Sequence, residues 1–233
     1  MPASRMSIMA VALAAGMLWS QPAQAQQWLE LNVGGYSLRE LDTRIDDDVL
    51  LENSSIFAFD LCDLCGLNVG GEWQAGLGRY FEVGVGVDYH SGTAPSTYYD
   101  YVDDDGSEIL QDFRLRITPV TFTVRVVPFG TQAAFQPYFG GGVGLYNWRY
   151  SEVGDFIDFT NFEVFNDRFV ATGTDLGGVV LGGARFPIGS RMATGIEVRY
   201  HQAAGTVGVD QGFLAERIDL GGLSTRWTLR VRF

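Results

Sequence analysis

Hydrophobic and polar residues alternate with a period of two along most of the chain beyond residue 25. In FEVGVGVDYH, Phe81, Val83, Val85, Val87 and Tyr89 share one face and Glu82, Gly84, Gly86, Asp88 and His90 the other. MATGIEVRYH sets Met192, Ile196, Val198 and Tyr200 against Glu197, Arg199 and His201. TRWTLRVRF sets Trp227, Leu229, Val231 and Phe233 against Arg226, Thr228, Arg230 and Arg232. Successive side chains of a strand point to opposite faces, so this pattern predicts half-buried strands rather than helices. Eight are predicted, over 28–38, 67–77, 81–90, 113–127, 137–150, 169–186, 192–202 and 220–233.

Alternation alone does not separate a soluble sandwich, apolar inside, from a membrane barrel, apolar outside. The connections do. Long ones over 39–66, 91–112, 151–168 and 203–219 alternate strictly with short turns, the order of an up-and-down barrel rather than of Greek-key crossings. The expected fold is therefore all-β: an eight-stranded antiparallel up-and-down transmembrane β-barrel over 26–233. Two places break the pattern. Leu115 and Ile117 lie at odd positions but Val120, Phe122, Val124 and Val126 at even ones, which predicts a β-bulge at Thr118-Pro119. Over 137–150, Val143 and Leu145 conflict in parity with Tyr146, Trp148 and Tyr150, leaving the lipid-facing set open. Trp28, Phe81, Tyr89, Tyr138 and Trp148 suit aromatic girdles at the membrane surfaces.

The first 25 residues change the compartment. A basic start, an apolar run and Ala23-Gln24-Ala25 make a cleaved secretory signal peptide over 1–25, its apolar run being too short for a spanning helix. All 16 basic residues are Arg, against 28 acids. So acidic a chain repels nucleic acid, which is excluded as a partner. Most of the acids fall in the four long connections, whereas the strands are slightly basic. In an exported chain, Cys62 and Cys65 are expected to form a small disulfide.

Export, the alternating strands, the segment QPYFGGGVGLYNWRYSE and the terminal WTLRVRF together resemble the small outer-membrane β-barrel family of Gram-negative bacteria, which includes the eight-stranded transmembrane domain of outer membrane protein A. The resemblance covers nearly all of the mature chain. It implies location in the outer membrane among lipid and lipopolysaccharide, and passage through the barrel-assembly machinery. Trp227, Leu229, Val231 and Phe233 match the terminal signal that this machinery reads. A monomer is expected.

Four constellations could carry chemistry. Glu30, Glu72, Glu82, Asp88, Asp175 and Glu197 alternate inward, as do Arg125, Arg185, Arg199, Arg226, Arg230 and Arg232. An eight-stranded barrel has room inside only for its own side chains, so these charges are expected to pair as a plug; the rival is a gated polar pore. His90 and His201 are the two candidate bases for lipid hydrolysis, but Ser91 points away from His90 along a strand. RIDDDVLLE and DYVDDDGSEILQD supply carboxylates for divalent cations at the outer loops, though Tyr101 occupies the first position of an EF-hand register built on Gly106. Loops mixing acids with aromatics suit surface recognition. The leading expectation is a non-enzymatic envelope barrel without cofactor, with recognition by its acidic loops. A narrow channel or transporter for small or hydrophobic solutes is the alternative, with a lateral gap near Pro119 as its cue. A lipid-modifying enzyme comes third.

Overall fold

The computed structural model describes residues 26–208 and 212–233, so the signal peptide expected over 1–25 lies outside the described residues. Eight strands make the wall: β1 (Gln27–Leu38), β2 (Gly66–Leu77), β3 (Phe81–Val102), β4 (Glu108–Val126), β5 (Gln136–Asp158), β6 (Glu163–Ile188), β7 (Met192–Gln202) and β8 (Gly222–Arg232). Each pairs antiparallel with its sequence neighbours, and β8 pairs with β1 from Trp28↔Arg232 to Leu38↔Gly222. The sheet therefore closes, and no backbone edge is left to face lipid.

The strands differ in height. β1, β2, β7 and β8 have 11 or 12 residues, whereas β3 to β6 have between 19 and 26. The connections expected as loops over 91–112 and 151–168 are thus mostly strand, and their turns lie near 103–107 and 159–162. The tall half of the barrel would leave an open inner face, and the chain covers it. From 39–66 come the helix α1 (Val49–Asn53), two 3₁₀ turns and the short strand Phe57–Ala58. From 203–219 comes a small ladder of Ala204–Thr206 with Arg217–Asp219. Together they fold across the mouth as a cap.

The predicted bulge is absent. The β4–β5 register runs unshifted from Gln111↔Gly154 to Val126↔Phe139, and the β3–β4 register is the same on both sides of Pro119. What changes at Thr118-Pro119 is the surroundings, not the backbone. Below it Val120, Phe122 and Val124 face outward and Thr121, Thr123 and Arg125 inward. Above it Leu115, Ile117 and Phe113 face inward, and Arg114 and Arg116 outward. β5 obeys the same rule: Phe139, Val143 and Leu145 face outward, and Tyr146, Trp148 and Tyr150 are buried inside. The lower barrel is solvated by lipid and the upper barrel by water, so the apolar face changes sides while the pleat keeps its phase.

The apolar belt ends along one rung, Val87↔Val120↔Leu145↔Leu176. Above it, inward side chains of the tall strands (Phe113, Leu115, Ile117, Tyr150) meet Val49, Leu50 and Leu64 of the cap, and Ile218 and Leu220 from the last connection. This is an ordinary soluble-type core held outside the membrane. Of the aromatics expected in girdles, Phe81 and Tyr89 do face outward, and Phe129, Phe135, Phe139 and Phe186 join Phe81 near the turn end. Trp28, Tyr138 and Trp148 instead point inward. Their ring faces or indole N–H find polar partners there, with Arg230 stacked 4.0 Å over Trp28 and Arg185 4.3 Å over Tyr138.

Candidate functional site

Inward parity gathers the charged residues of six strands into two layers. In the layer nearer the turns, Glu82 accepts from Arg185 Nη2 at 2.5 Å and from Arg230 Nη1 at 3.0 Å. Gln74 Oε1 takes the other Arg185 Nη at 3.3 Å and shares Arg230 Nη1 at 3.2 Å. In the middle layer Glu72 takes Arg125 fork to fork, with Nη2 to Oε2 at 2.9 Å, and also receives Arg199. Glu197 accepts from Arg226 Nη2 at 2.6 Å, from Arg125 at 3.2 Å and from Arg199 Nε. Asp88 completes the layer, 2.8 Å from Arg226 Nη1. All of these groups are buried. A buried charge without a partner costs several kcal/mol, and bidentate Arg–carboxylate contacts are the geometry that offsets this.

Three of the expected lumen charges stay outside the network. Asp175 sits above both layers beside Tyr146, where the arginines of that height face outward; it accepts instead from Trp148 Nε1 at 2.7 Å. Arg232 lies at the barrel rim, 5.6 Å over the Trp28 ring, and pairs with no carboxylate among the described residues. Glu30 is buried between the two layers, opposite Glu72 and Arg230, yet neither of its oxygens has a hydrogen-bond partner among the described residues. Its neighbour Arg230 reaches past it to Glu82.

Above the charged layers lies a histidine and tyrosine layer. His201 Nε2 is 3.2 Å from Ser224 Oγ and its Nδ1 3.0 Å from Tyr146 OH, all buried. His90 has the Leu64 carbonyl 2.9 Å from Nε2 and the Leu67 carbonyl 3.2 Å from Nδ1, holding the cap to β2 and β3. Ser91 is exposed on the opposite face, so the His90–Ser91 pair is not assembled. His201–Ser224 has the contact of a nucleophile and base, but Tyr146 stands where a triad has its acid.

The cap is fastened by acids of the long connections. Asp48 caps α1, accepting from Leu50 N at 2.9 Å and Leu51 N at 3.1 Å, and binds Arg44 Nε at 2.8 Å. The Asp219 amide donates to its other oxygen, and Arg44 Nη2 donates to the Asp219 carbonyl at 2.7 Å. The two connections are thereby joined through one carboxylate. Asn53 at the end of α1 donates to Glu152 Oε1 at 2.7 Å, and Tyr150 OH donates to the same atom at 2.9 Å. Burial pushes the Glu152 carboxyl up to about 7, with the Asn53 and Tyr150 hydrogen bonds acting in the opposite sense. The inward run Tyr146, Trp148, Tyr150 was the available signal for Glu152, since the same parity carries it into the cap core.

The expected Cys62–Cys65 disulfide is not formed. Both thiols are free in a 3₁₀ turn, where Cys65 N donates to Cys62 O at 3.0 Å and the Cys65 thiol lies 3.8 Å from the Leu61 carbonyl. Nor do the acidic loops assemble an ion site: among the described residues no three His, Cys, Asp or Glu side chains converge. Asp103 and Asp105 instead accept from the Asp104 and Ser107 amides at 2.7 and 2.9 Å, closing their own hairpin turn. Trp227 and Val231 face outward on the seam strand with Leu229 half-buried between them, and Phe233, just past its end, is 74% exposed.

Comparison with known proteins yields a family and a fold. A family model described as "Outer membrane protein beta-barrel domain" matches residues 10–215. Among solved structures, the outer membrane protein OprG from Pseudomonas aeruginosa aligns over 90% of this chain and 96% of its own, at 10% identity and a TM-score of 0.53. Neisserial surface protein A aligns over 89% of this chain and 97% of its own, at 14% identity and a TM-score of 0.45. No curated protein matches the sequence.

Proposed function

The chain belongs to the outer membrane protein β-barrel domain family, a protein of the bacterial outer membrane, and on that premise we propose that it is a closed, non-catalytic barrel whose role is carried by the head above the bilayer. The observation behind this reading is the filled interior. A solute moving along the axis would have to part the Glu82 layer, then the Glu72–Glu197–Asp88 layer, then the His201–Tyr146 layer, and finally lift the apolar cap. Each charged layer is held by several buried ion pairs whose separation costs several kcal/mol apiece.

The head, by contrast, offers a surface. The tips of the β3–β4 and β5–β6 hairpins flank a groove of about 800 Å³ in which Asp103, Asp104, Asp155 and Glu163 stand with Tyr101 and Phe162. Carboxylates around exposed rings suit recognition of a cationic partner, steered by charge and anchored by the aromatics. Purified protein in planar bilayers should give no stable conductance steps. Regular large steps from the intact protein would reject the closed barrel.

One observation favours a second reading, sideways passage of a small hydrophobic solute. The β3–β4 ladder is interrupted between Val87↔Val120 and His90↔Ile117, where Pro119 has no N–H to give. Uptake into proteoliposomes that falls on Pro119→Thr would support it.

A further inference from the structure

The outer wall carries a basic cluster that neither the plug nor the acidic head uses. On the outward face, Arg116 pairs in register with Arg149, and Arg114 follows it two residues on along β4 beside Ser151. Arg168 on β6 lies diagonally beyond, opposite Val153. The four guanidiniums enclose a hollow of about 260 Å³ with Ser151 on its floor. Arg114 is oriented by donating its Nε–H to Thr93 Oγ1 at 3.1 Å. None of the four pairs with a carboxylate among the described residues, whereas Arg39 and Arg44 of the cap and Arg125, Arg185, Arg199, Arg226 and Arg230 of the lumen all do so. In so acidic a chain, four unneutralised arginines in one hollow repel each other and gain most from a shared anion.

Their height says which anion. The lipid-facing rung Val120↔Leu145↔Leu176 is followed outward by the neutral rung Thr118↔Asn147↔Thr174, and then by Arg116↔Arg149. Four residues of strand at about 3.4 Å each, tilted by about 40°, put Arg116 and Arg149 about 10 Å above the last apolar rung, with Arg114 two residues and Arg168 four residues further out along their strands. That is the level of the outer headgroups, not of bulk solvent. We propose that Arg114, Arg116, Arg149 and Arg168 bind the phosphates of an outer-leaflet glycolipid. The guanidiniums take the phosphate oxygens in bidentate fashion, the Ser151 hydroxyl lies within the hollow, and the acyl chains run down the Val120–Leu145–Leu176 wall.

The test uses the full protein in detergent micelles, titrated with bis-phosphorylated lipid A and with the same lipid stripped of phosphate, read by native mass spectrometry. The phosphorylated form should bind at least tenfold more tightly, and the preference should vanish in the variant R114Q/R116Q/R149Q/R168Q. Heat-modifiable gel migration reports whether that variant folds. The single variant Arg116→Glu, confined to the wall surface, should lose at least half of the preference on a logarithmic scale. Equal binding of the two lipids, an unchanged preference in the folded variants, or inorganic pyrophosphate bound as tightly as the lipid would each overturn the assignment.

Discussion

The Glu72–Arg125 pair passes directly over Gly84. Glu72 on β2 and Arg125 on β4 flank β3, and their fork-to-fork contact crosses it where the intervening residue has no side chain. A Cβ on Gly84 would lie 1.8 Å from Glu72 Oε1 and 2.9 Å from Arg125 Nη1. The strand thus keeps open the space that its neighbours' ion pair occupies.

Gly84→Ala should therefore destabilise the barrel by about 1–3 kcal/mol, the usual cost of forcing atoms into a packed interior. Urea unfolding in detergent, followed by tryptophan fluorescence, measures it. A midpoint equal to that of the unmodified protein would mean that the pair moves aside without cost.

Glu72→Gln should be more costly, by about 3–5 kcal/mol, because Arg125 and Arg199 are left buried with one carboxylate fewer. Glu30→Gln is its control. It removes an acid of the same strand level that makes no hydrogen bond among the described residues, so its effect should be below about 1 kcal/mol or stabilising. Equal losses for the two variants would show that burial, not pairing, sets the energetics.

Asp48→Ala should loosen the cap and leave the wall intact. It removes the α1 N-cap, worth about 1 kcal/mol, the Arg44 partner and the acceptor of the Asp219 amide. Limited proteolysis should cut within 39–66 at least tenfold faster, while heat-modifiable migration of the barrel is unchanged.

The closure of the head should depend on pH through Glu152. Its carboxyl in the folded protein, at about 7, lies above the ordinary value of 4.5. The folded state therefore holds the proton more tightly than the unfolded one. Its stabilising contribution is complete below about pH 4.5 and is lost as pH rises through about 7, by at most about 1.4 kcal/mol per pH unit. Opening free energies of the Val49–Asn53 amides from hydrogen exchange should fall over that window. Glu152→Gln should flatten the profile, and a wild-type profile already flat would remove Glu152 as its source.

The wall was legible in the sequence because a strand facing one solvent declares its faces by parity. Glu72, Glu82, Asp88, Glu197 and their arginines were read inward for that reason, and they meet there. The same rule failed where one strand meets two solvents. Leu115 and Ile117 looked like a slipped register, but they are the inward apolar face of a section standing in water. Arg116 and Arg149 flank that change and carry its sign, facing out where arginines lower in the wall face in. The cap was not legible: Asp48 and Asp219 are 171 residues apart, and no local periodicity links them. Trp28 and Tyr138 were misplaced because an aromatic near a strand end can serve an interface or stack on a lumen guanidinium, and residue type does not distinguish the two.

The exchange of faces at the Thr118–Asn147–Thr174 rung also fixes how deep the molecule sits. Sinking further would push Arg116 and Arg149 into acyl chains, and rising would bring Leu145 and Leu176 into water. Neither displacement is cheap, so a thicker or thinner leaflet must deform around this protein while the protein holds its level.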